Sequence, residues 1–213
     1  EPDMMNRLLP ISVGAIAILA YATVMLVIVP GIQIRTQDPP PGLVPYTKQQ
    51  LDGRQQYVSM GCVYCHSQQP RSYEHTLADA AQGWGRPSVA ADYVYDRPHQ
   101  LGTMRTGPDL LNVGARLPSA EWHLTHLYQP RAIFDWSVMP AYPFMFEEKD
   151  KADAGDVVVK LPPQFRPEGK IVVAKKEALD LVAYLQSLNR SYPVDGDVKA
   201  VRDHGFAKPR SVR

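Results

Sequence analysis

One six-residue stretch, Gly61-Cys62-Val63-Tyr64-Cys65-His66, constrains this chain more than any other. It reads C-x-x-C-H, the attachment signature of a c-type haem. Each cysteine can add across one vinyl group of the haem to form a thioether, and the two-residue spacer matches the separation of the vinyls. The adjacent His66 then offers an imidazole nitrogen to the iron. The only cysteines of the chain are in this motif, so we predict one covalent haem c, bound through Cys62 and Cys65.

Three other interpretations of the two cysteines explain less. A thioredoxin-like redox pair needs a βαβ context and gains nothing from the histidine. A zinc site needs a fourth ligand of zinc type nearby, and the sequence places none to close it. A disulfide between Cys62 and Cys65 would close a very small loop and stabilise little.

The second constraining feature is an apolar segment near the N-terminus. Residues 8–29 contain no charged side chain, and a helix of this length is about 33 Å long, enough to cross a hydrocarbon core. Pro10 falls in its first turn, and we expect Pro30-Gly31 to end it. A cleaved signal peptide would have a shorter apolar region followed by a cleavage site of small residues; a buried core helix is the other alternative. The segment therefore predicts a single-pass anchor that the mature protein retains.

These features divide the chain into four parts. We expect a membrane anchor at 1–35, a Pro-rich linker at 36–45, a cytochrome c domain at 46–194 and a polar, basic tail at 195–213. Three successive prolines favour an extended, semi-rigid linker. The net charge of +1 gives no indication of nucleic-acid binding. Charged residues flank the anchor too evenly to orient it, but bacteria attach haem c outside the cytoplasmic membrane. We therefore expect the bacterial inner membrane, with the haem domain in the periplasm.

Local signals predict short helices within the third part. Thr47 is a candidate N-cap for a helix that reaches Met60, and Ser119 for a helix over 120–128. Residues 175–188 form an amphipathic helix with an apolar stripe that includes Leu181 and Leu185. We interpret 67–107 as mostly loop and 147–156 as a charged, exposed loop. A short hairpin is expected between 157–161 and 171–173.

A helix directly before C-x-x-C-H and an amphipathic helix near the end resemble the class I cytochrome c pattern. The fold class expected is therefore mainly α, with one N-terminal transmembrane helix and a domain of short helices and long loops around haem c. In that fold the two helices cross where a small residue meets an aromatic one, and Gly53 and Tyr184 are the candidates. The Leu181/Leu185 stripe is expected to pack against the helix around Leu51 and Tyr57.

Four methionines are available as the second axial ligand of the haem iron: Met60, Met104, Met139 and Met145. Met60 is too near the attachment site, Met104 precedes a Gly-Pro turn without the usual flank, and Met145 follows aromatic residues that favour packing. Met139 precedes a proline in a loop that leads towards the last helix, where a class I cytochrome places its ligand. Thioether ligation stabilises the ferrous state and raises the reduction potential. With both axial positions filled, the domain would carry electrons and catalyse nothing itself.

The order of motifs is more specific than class I. The anchor, the Pro-rich linker and the haem motif are followed by Arg105-Thr106-Gly107-Pro108-Asp109-Leu110, residues 122–128 and Met139-Pro140-Ala141-Tyr142-Pro143. Together they resemble the membrane-anchored mono-haem subunit (subunit II) of cbb3-type cytochrome c oxidases. The resemblance covers roughly residues 8–148 and resumes at the last helix; the segment 150–173 and the basic tail have no assigned role.

The resemblance implies partners and site residues. Electrons would come from a di-haem cytochrome subunit or a soluble cytochrome c and pass to the b-type haem of a large haem–copper membrane subunit, which reduces O2. His66 and Met139 would be the axial ligands of the iron, and Arg105 is a candidate contact for a haem propionate. The chain would thus be a non-catalytic electron-transfer subunit of an oxidoreductase complex.

Three alternatives remain open at this stage. The first is the cytochrome c subunit of a nitric oxide reductase, which is also anchored and mono-haem. The second is a stand-alone anchored cytochrome that shuttles electrons. The third is a haem sensor with two histidine ligands, in which His123 or His126 replaces Met139.

Overall fold

The fold is mainly helical, with one long N-terminal helix followed by short helices and loops, which confirms the expected fold class. A computed structural model describes residues 2–68, 86, 88–100, 102, 104 and 106–194. Arg105, residues 69–85 and the predicted tail at 195–213 lie outside the described residues.

The N-terminal apolar helix is longer than predicted. It runs as α1 (Pro2–Thr23), a π-helical turn (Val24–Ile28) and α2 (Val29–Arg35), so the prediction that Pro30-Gly31 ends the helix is wrong. In the wide turn the N–H of Val29 bonds the carbonyl of Val24, five residues back. The π-helical turn lies directly before Pro30, which cannot donate a hydrogen bond and would crowd the preceding turn of a regular helix. The apolar helix over Leu8–Arg35 has 28 residues and a mean hydropathy of 2.5.

The haem-motif helix begins as predicted at Thr47. Helix α3 spans Lys48–Ser59. The Thr47 hydroxyl accepts a hydrogen bond from the Gln50 N–H at 3.3 Å, and the Gln50 side chain accepts from the Thr47 N–H at 2.8 Å. This capping box pairs two backbone donors that the first turn of a helix otherwise leaves unsatisfied.

Helix α3 crosses α7 (Lys176–Ser187) at the predicted position. A Cβ atom on Gly53 would lie 1.9 Å from the carbonyl oxygen of Asp180 and 2.9 Å from Cβ of Tyr184. The two backbones are therefore in contact, and only glycine fits at this point of α3. The Gly53–Tyr184 prediction is confirmed.

The packing partners predicted for the stripe on α7 are half right. Leu181, Leu185 and Tyr57 belong to one buried core cluster, and the rings of Tyr57 and Tyr184 are 5.6 Å apart. Leu51, in contrast, is 49% exposed. The buried face of α3 is centred on Gly53 and Tyr57, which lie four residues apart, with Arg54 beside them. Leu51 lies two residues before Gly53 and six before Tyr57, so it points to another side of the helix.

A two-stranded antiparallel sheet corrects the predicted hairpin. Strand β1 (Phe146–Lys149) pairs with β2 (Ile171–Ala174), whereas the predicted partner segment 157–161 adds one isolated bridge between Val158 and Val173. The prediction of an exposed loop over 147–156 is therefore wrong for its first three residues. Only Phe146 of β1 is buried, and its ring packs on Tyr128 with centroids 5.3 Å apart. The charged residues that follow lie on an edge, where strands tolerate charge.

Between the haem motif and the sheet, the described residues form two α-helices. They are α5 (Val113–Arg116) and α6 (Ala120–Tyr128). The Ser119 hydroxyl accepts a hydrogen bond from the Trp122 N–H at 3.2 Å, which confirms the predicted N-cap. Both helices pack on α7, so the last helix is the common support of the haem-motif helix and of α6.

Candidate functional site

The haem motif forms a single helical turn, α4 (Cys62–Cys65), directly after α3. Gly61 makes the bend between the two helices with φ +77°, a left-handed conformation that favours glycine. Cys62 is buried and Cys65 half-buried, and the two do not form a disulfide. Burial raises the pKa of the Cys62 thiol. Two unpaired sulfurs therefore lie one helical turn apart, as attachment to two vinyl groups requires.

The imidazole of His66 is held by a backbone carbonyl. Its Nδ1 lies 2.7 Å from the carbonyl oxygen of Pro108. Since a carbonyl can only accept, Nδ1 carries the proton in this contact and Nε2 is the basic nitrogen. A hydrogen bond of this kind fixes the tautomer and the ring orientation of a metal-binding histidine.

Gly107 leaves the space in which the His66 imidazole can reach the carbonyl of Pro108. A Cβ atom there would lie 2.1 Å from Cε1 of His66, so any side chain at 107 would occupy the space of the imidazole. The Gly107 N–H donates to the carbonyl of Cys65 at 3.1 Å, and the Ser67 N–H donates to the carbonyl of Met104 at 3.2 Å. The described part of 102–108 thus lies along the haem motif and supports His66 from one side.

The main chain of His66 is tied to the helix crossing. The Tyr57 hydroxyl donates to the carbonyl of His66, and the Gln68 side chain donates to the Tyr184 hydroxyl at 2.7 Å. Tyr57 and Tyr184 are both fully buried. The crossing of α3 and α7 therefore holds the main chain at His66 and the side chain of Gln68, two residues later.

The loop that carries Met139 lies against Cys62. Met139 is half-buried and packs on the core cluster that contains Cys62. Three residues later, burial raises the pKa of Tyr142 to about 12, and the neighbouring Cys62 thiol adds to this effect. The Tyr142 N–H donates to the carbonyl of Leu127 at 3.0 Å. The loop is thus fixed at one end between α6 and the haem motif.

The other methionines are placed differently. Met104 is 57% exposed, and its backbone is bonded to Ser67, on the side that supports His66. Met145 is fully buried in the core, and Met60 packs against that core at the end of α3. Met139 is therefore the candidate that is half-buried and, although distant in the chain, packs on the core cluster that contains Cys62.

Two histidines of α6 lie near the site in different states. His123 Nε2 is 2.8 Å from the carbonyl oxygen of Leu117, so this nitrogen is engaged in a hydrogen bond. His126 stacks on Trp122 with ring centroids 4.8 Å apart. Burial, reinforced by the neighbouring imidazoles of His123 and His66, lowers the pKa of His126 to about 4. His126 is thus neutral at physiological pH, and among the described residues its Nδ1 has no hydrogen-bond partner.

This set of donors fits a haem attached through the motif. It offers two unpaired thiols, an imidazole with a fixed tautomer and a thioether packed on the same cluster. The sequence predicted Cys62, Cys65, His66 and Met139 as site residues, but it assigned no role to Pro108, Gly107 or Tyr142. The Gly-Pro pair was recognisable only as a turn; its contact with His66 spans 42 positions of the chain.

An apolar N-terminal helix ahead of a small helical domain built around C-x-x-C-H is typical of membrane-anchored mono-haem cytochromes. The particular family follows from comparison with known proteins. A family model described as cytochrome c oxidase, mono-heme subunit/FixO, matches residues 4–161, and the chain belongs to this family. A search of curated proteins gave no match. The matched range includes the anchor, the haem motif and Met139, and it identifies the chain as a mono-haem subunit of a cytochrome c oxidase, with a catalytic membrane subunit as its partner.

Proposed function

We propose that this subunit relays electrons from a cytochrome c donor to the b-type haem of the catalytic membrane subunit, which reduces O2. The observation that carries the proposal is the fixed imidazole of His66: Nδ1 donates to Pro108, and Nε2 is therefore the basic nitrogen next to two unpaired cysteines. A haem c bound there would supply the reversible one-electron change of its iron.

The residues would divide the work as follows. Cys62 and Cys65 would hold the haem through thioethers, and His66 and Met139 would be the ligands of its iron. Tyr142 lies beside Cys62, and Pro108 keeps His66 in one tautomer. Arg105 is proposed as a propionate contact on sequence grounds alone, since it lies outside the described residues.

Filling both axial positions with protein ligands makes the subunit a carrier. Substrates that react at haem iron need an open coordination position, and His66 together with Met139 would leave none. Met139 favours the ferrous state because its sulfur is a soft ligand. The reduction of O2 then belongs to the catalytic partner, and the electron donor is a di-haem subunit or a soluble cytochrome c.

Purification of the complex in mild detergent tests this function. We expect the chain to elute with a large membrane subunit that contains copper beside a high-spin haem. Non-haem iron in place of copper would indicate a nitric oxide reductase, and elution as a lone species of 23.8 kDa would indicate a stand-alone shuttle. When the donor is added to the intact oxidase, haem c should become reduced first and should then pass its electron to the b-type haem of the partner. Reduction of the b-type haem in a complex that lacks haem c would refute the relay.

We also propose that the anchor stays in the mature protein and places the haem domain in the periplasm of a bacterial inner membrane. The helix over Leu8–Arg35 is long and apolar enough to cross once. Protease added to intact spheroplasts should remove the haem domain and leave an anchor fragment in the membrane. Protection of the haem domain until the membrane is permeabilised would refute this orientation.

A further inference from the structure

The last turn of the anchor helix is docked on the haem domain. Ile34 is 4% exposed and forms a buried cluster with Tyr93 and Leu111. Earlier in the same helix Leu26 is 72% and Ile32 49% exposed. The 28 residues of the apolar helix give a length of about 42 Å, which exceeds a hydrocarbon core of about 30 Å. The extra turns can therefore lie above the membrane, in contact with the domain.

Tyr93 is held in place by a buried carboxylate. Its neighbour Asp92 is 1% exposed and accepts two hydrogen bonds from the Arg86 guanidinium, at 2.8 and 2.6 Å. It also accepts from the Val89 N–H at 2.8 Å and the Tyr192 hydroxyl at 2.9 Å. A bidentate pair with further hydrogen bonds is the geometry in which a buried charge becomes rigid. The surface that receives Ile34 is therefore a fixed one.

Leu111 connects the docked anchor to the haem motif. The Leu111 N–H donates to the Asp109 carboxylate at 2.8 Å, which folds the short segment 108–111 on itself. At the start of this segment, the Pro108 carbonyl accepts from His66 Nδ1. Leu111, which packs on Ile34, thus lies three positions after Pro108, whose carbonyl orients the histidine.

We propose that Ile34 is a positioning residue: by packing on Tyr93 and Leu111 it fixes the membrane anchor relative to His66. It thereby sets the distance that electrons cross to the membrane-embedded acceptor, a role that rests on the electron relay proposed above. In this proposal the height of the haem domain above the membrane is set by the docked end of the anchor helix. The stiffness of the proline run in the linker is then not what sets it. A free linker would let the domain move over the membrane, and tunnelling falls exponentially with distance.

The docking is tested first by a distance measurement on the haem-loaded full chain. Spin labels go on cysteines introduced at Leu19 in the anchor and Glu177 on α7, both of which are exposed. We expect one narrow distance distribution for the otherwise unchanged chain and a broad one for Ile34→Ala. Ile34→Val should restore most of the narrow component, since it keeps a branched side chain in the cluster. An unchanged distribution in Ile34→Ala would overturn the docking.

The functional consequence is tested in the intact oxidase. Ile34→Ala should leave the absorbance spectrum and potential of haem c unchanged while the transfer of electrons to the catalytic subunit slows by about tenfold, because small displacements of reacting groups have large effects on rate. The matched control is Ile32→Ala, which removes the same atoms from an exposed position of the same helix. Equal slowing in both variants, or normal transfer in Ile34→Ala, would overturn the positioning role. If haem c passes no electrons even in the wild-type complex, the relay fails, while the label distances still decide the docking.

Discussion

Met139→Ala should keep its haem but lose most electron transfer. Attachment depends on Cys62 and Cys65, which the substitution leaves in place, and His66 stays held by Pro108. The red absorbance band that ferric haem shows with methionine ligation should disappear, because the thioether sulfur is gone. The neutral imidazole of His126 or a water molecule would take the vacant position. Both are harder ligands than a thioether, so the reduction potential should fall.

The size of the fall decides the effect on turnover. For a one-electron carrier, each drop of about 59 mV changes the equilibrium with its donor tenfold. A fall of a few such steps would leave the haem mostly oxidised in the presence of its donor. Oxygen consumption by the whole complex should therefore drop steeply, although its catalytic subunit is unchanged. Potentiometric titration of the purified complex, together with oxygen uptake, measures both effects.

Met104→Ala is the control for this substitution. Met104 is 57% exposed, and its backbone is bonded beside His66, on the side that supports the histidine. The variant should keep both the band and the potential. Loss of the band in Met104→Ala with retention in Met139→Ala would show that the axial ligand is misassigned.

The parts of the fold that sequence predicted best are those with local signals. Thr47 and Ser119 were recognisable as helix starts because each side-chain cap binds an amide only three residues later. The close crossing at Gly53 was predictable because its position relative to C-x-x-C-H matches the class I pattern. The haem motif itself is contiguous, so its chemistry is readable without a structure.

The errors arise where a helix departs from regular geometry or where the partner is distant along the chain. Pro30 normally ends a helix, but a π-helical turn just before it lets the helix continue to Arg35. The strand of Phe146–Lys149 is mostly charged and pairs with a partner about 25 positions later. Likewise, Pro108 and Tyr142 act on His66 and Cys62 through contacts that only the folded chain creates.

Gly53→Ala tests the helix crossing on which the site depends. The sign of the change in the free energy of unfolding shows whether helix propensity or the close contact of the two backbones dominates. In a helix interior, alanine is favoured over glycine by about 1 kcal/mol, so propensity alone predicts a more stable protein. The structure predicts the opposite, since the added methyl carbon would lie 1.9 Å from the Asp180 carbonyl oxygen and 2.4 Å from its carbon. We expect a net loss of about 3 kcal/mol, as overpacking against a backbone forces the helices apart. Thermal unfolding of the haem-loaded chain in detergent, followed by circular dichroism, measures the loss.

Gln49→Ala is the matched control, since Gln49 is exposed on the same helix and its truncation should change stability by less than about 0.5 kcal/mol. The consequence of Gly53→Ala should also reach the haem motif. Tyr57 lies one turn after Gly53 and donates to the carbonyl of His66, while Tyr184 lies one turn after Asp180 and accepts from Gln68. Separating the helices therefore moves both supports of the histidine, and the absorbance spectrum should change before the protein unfolds. A Gly53→Ala chain as stable as the wild type would mean that α3 and α7 do not touch through their backbones.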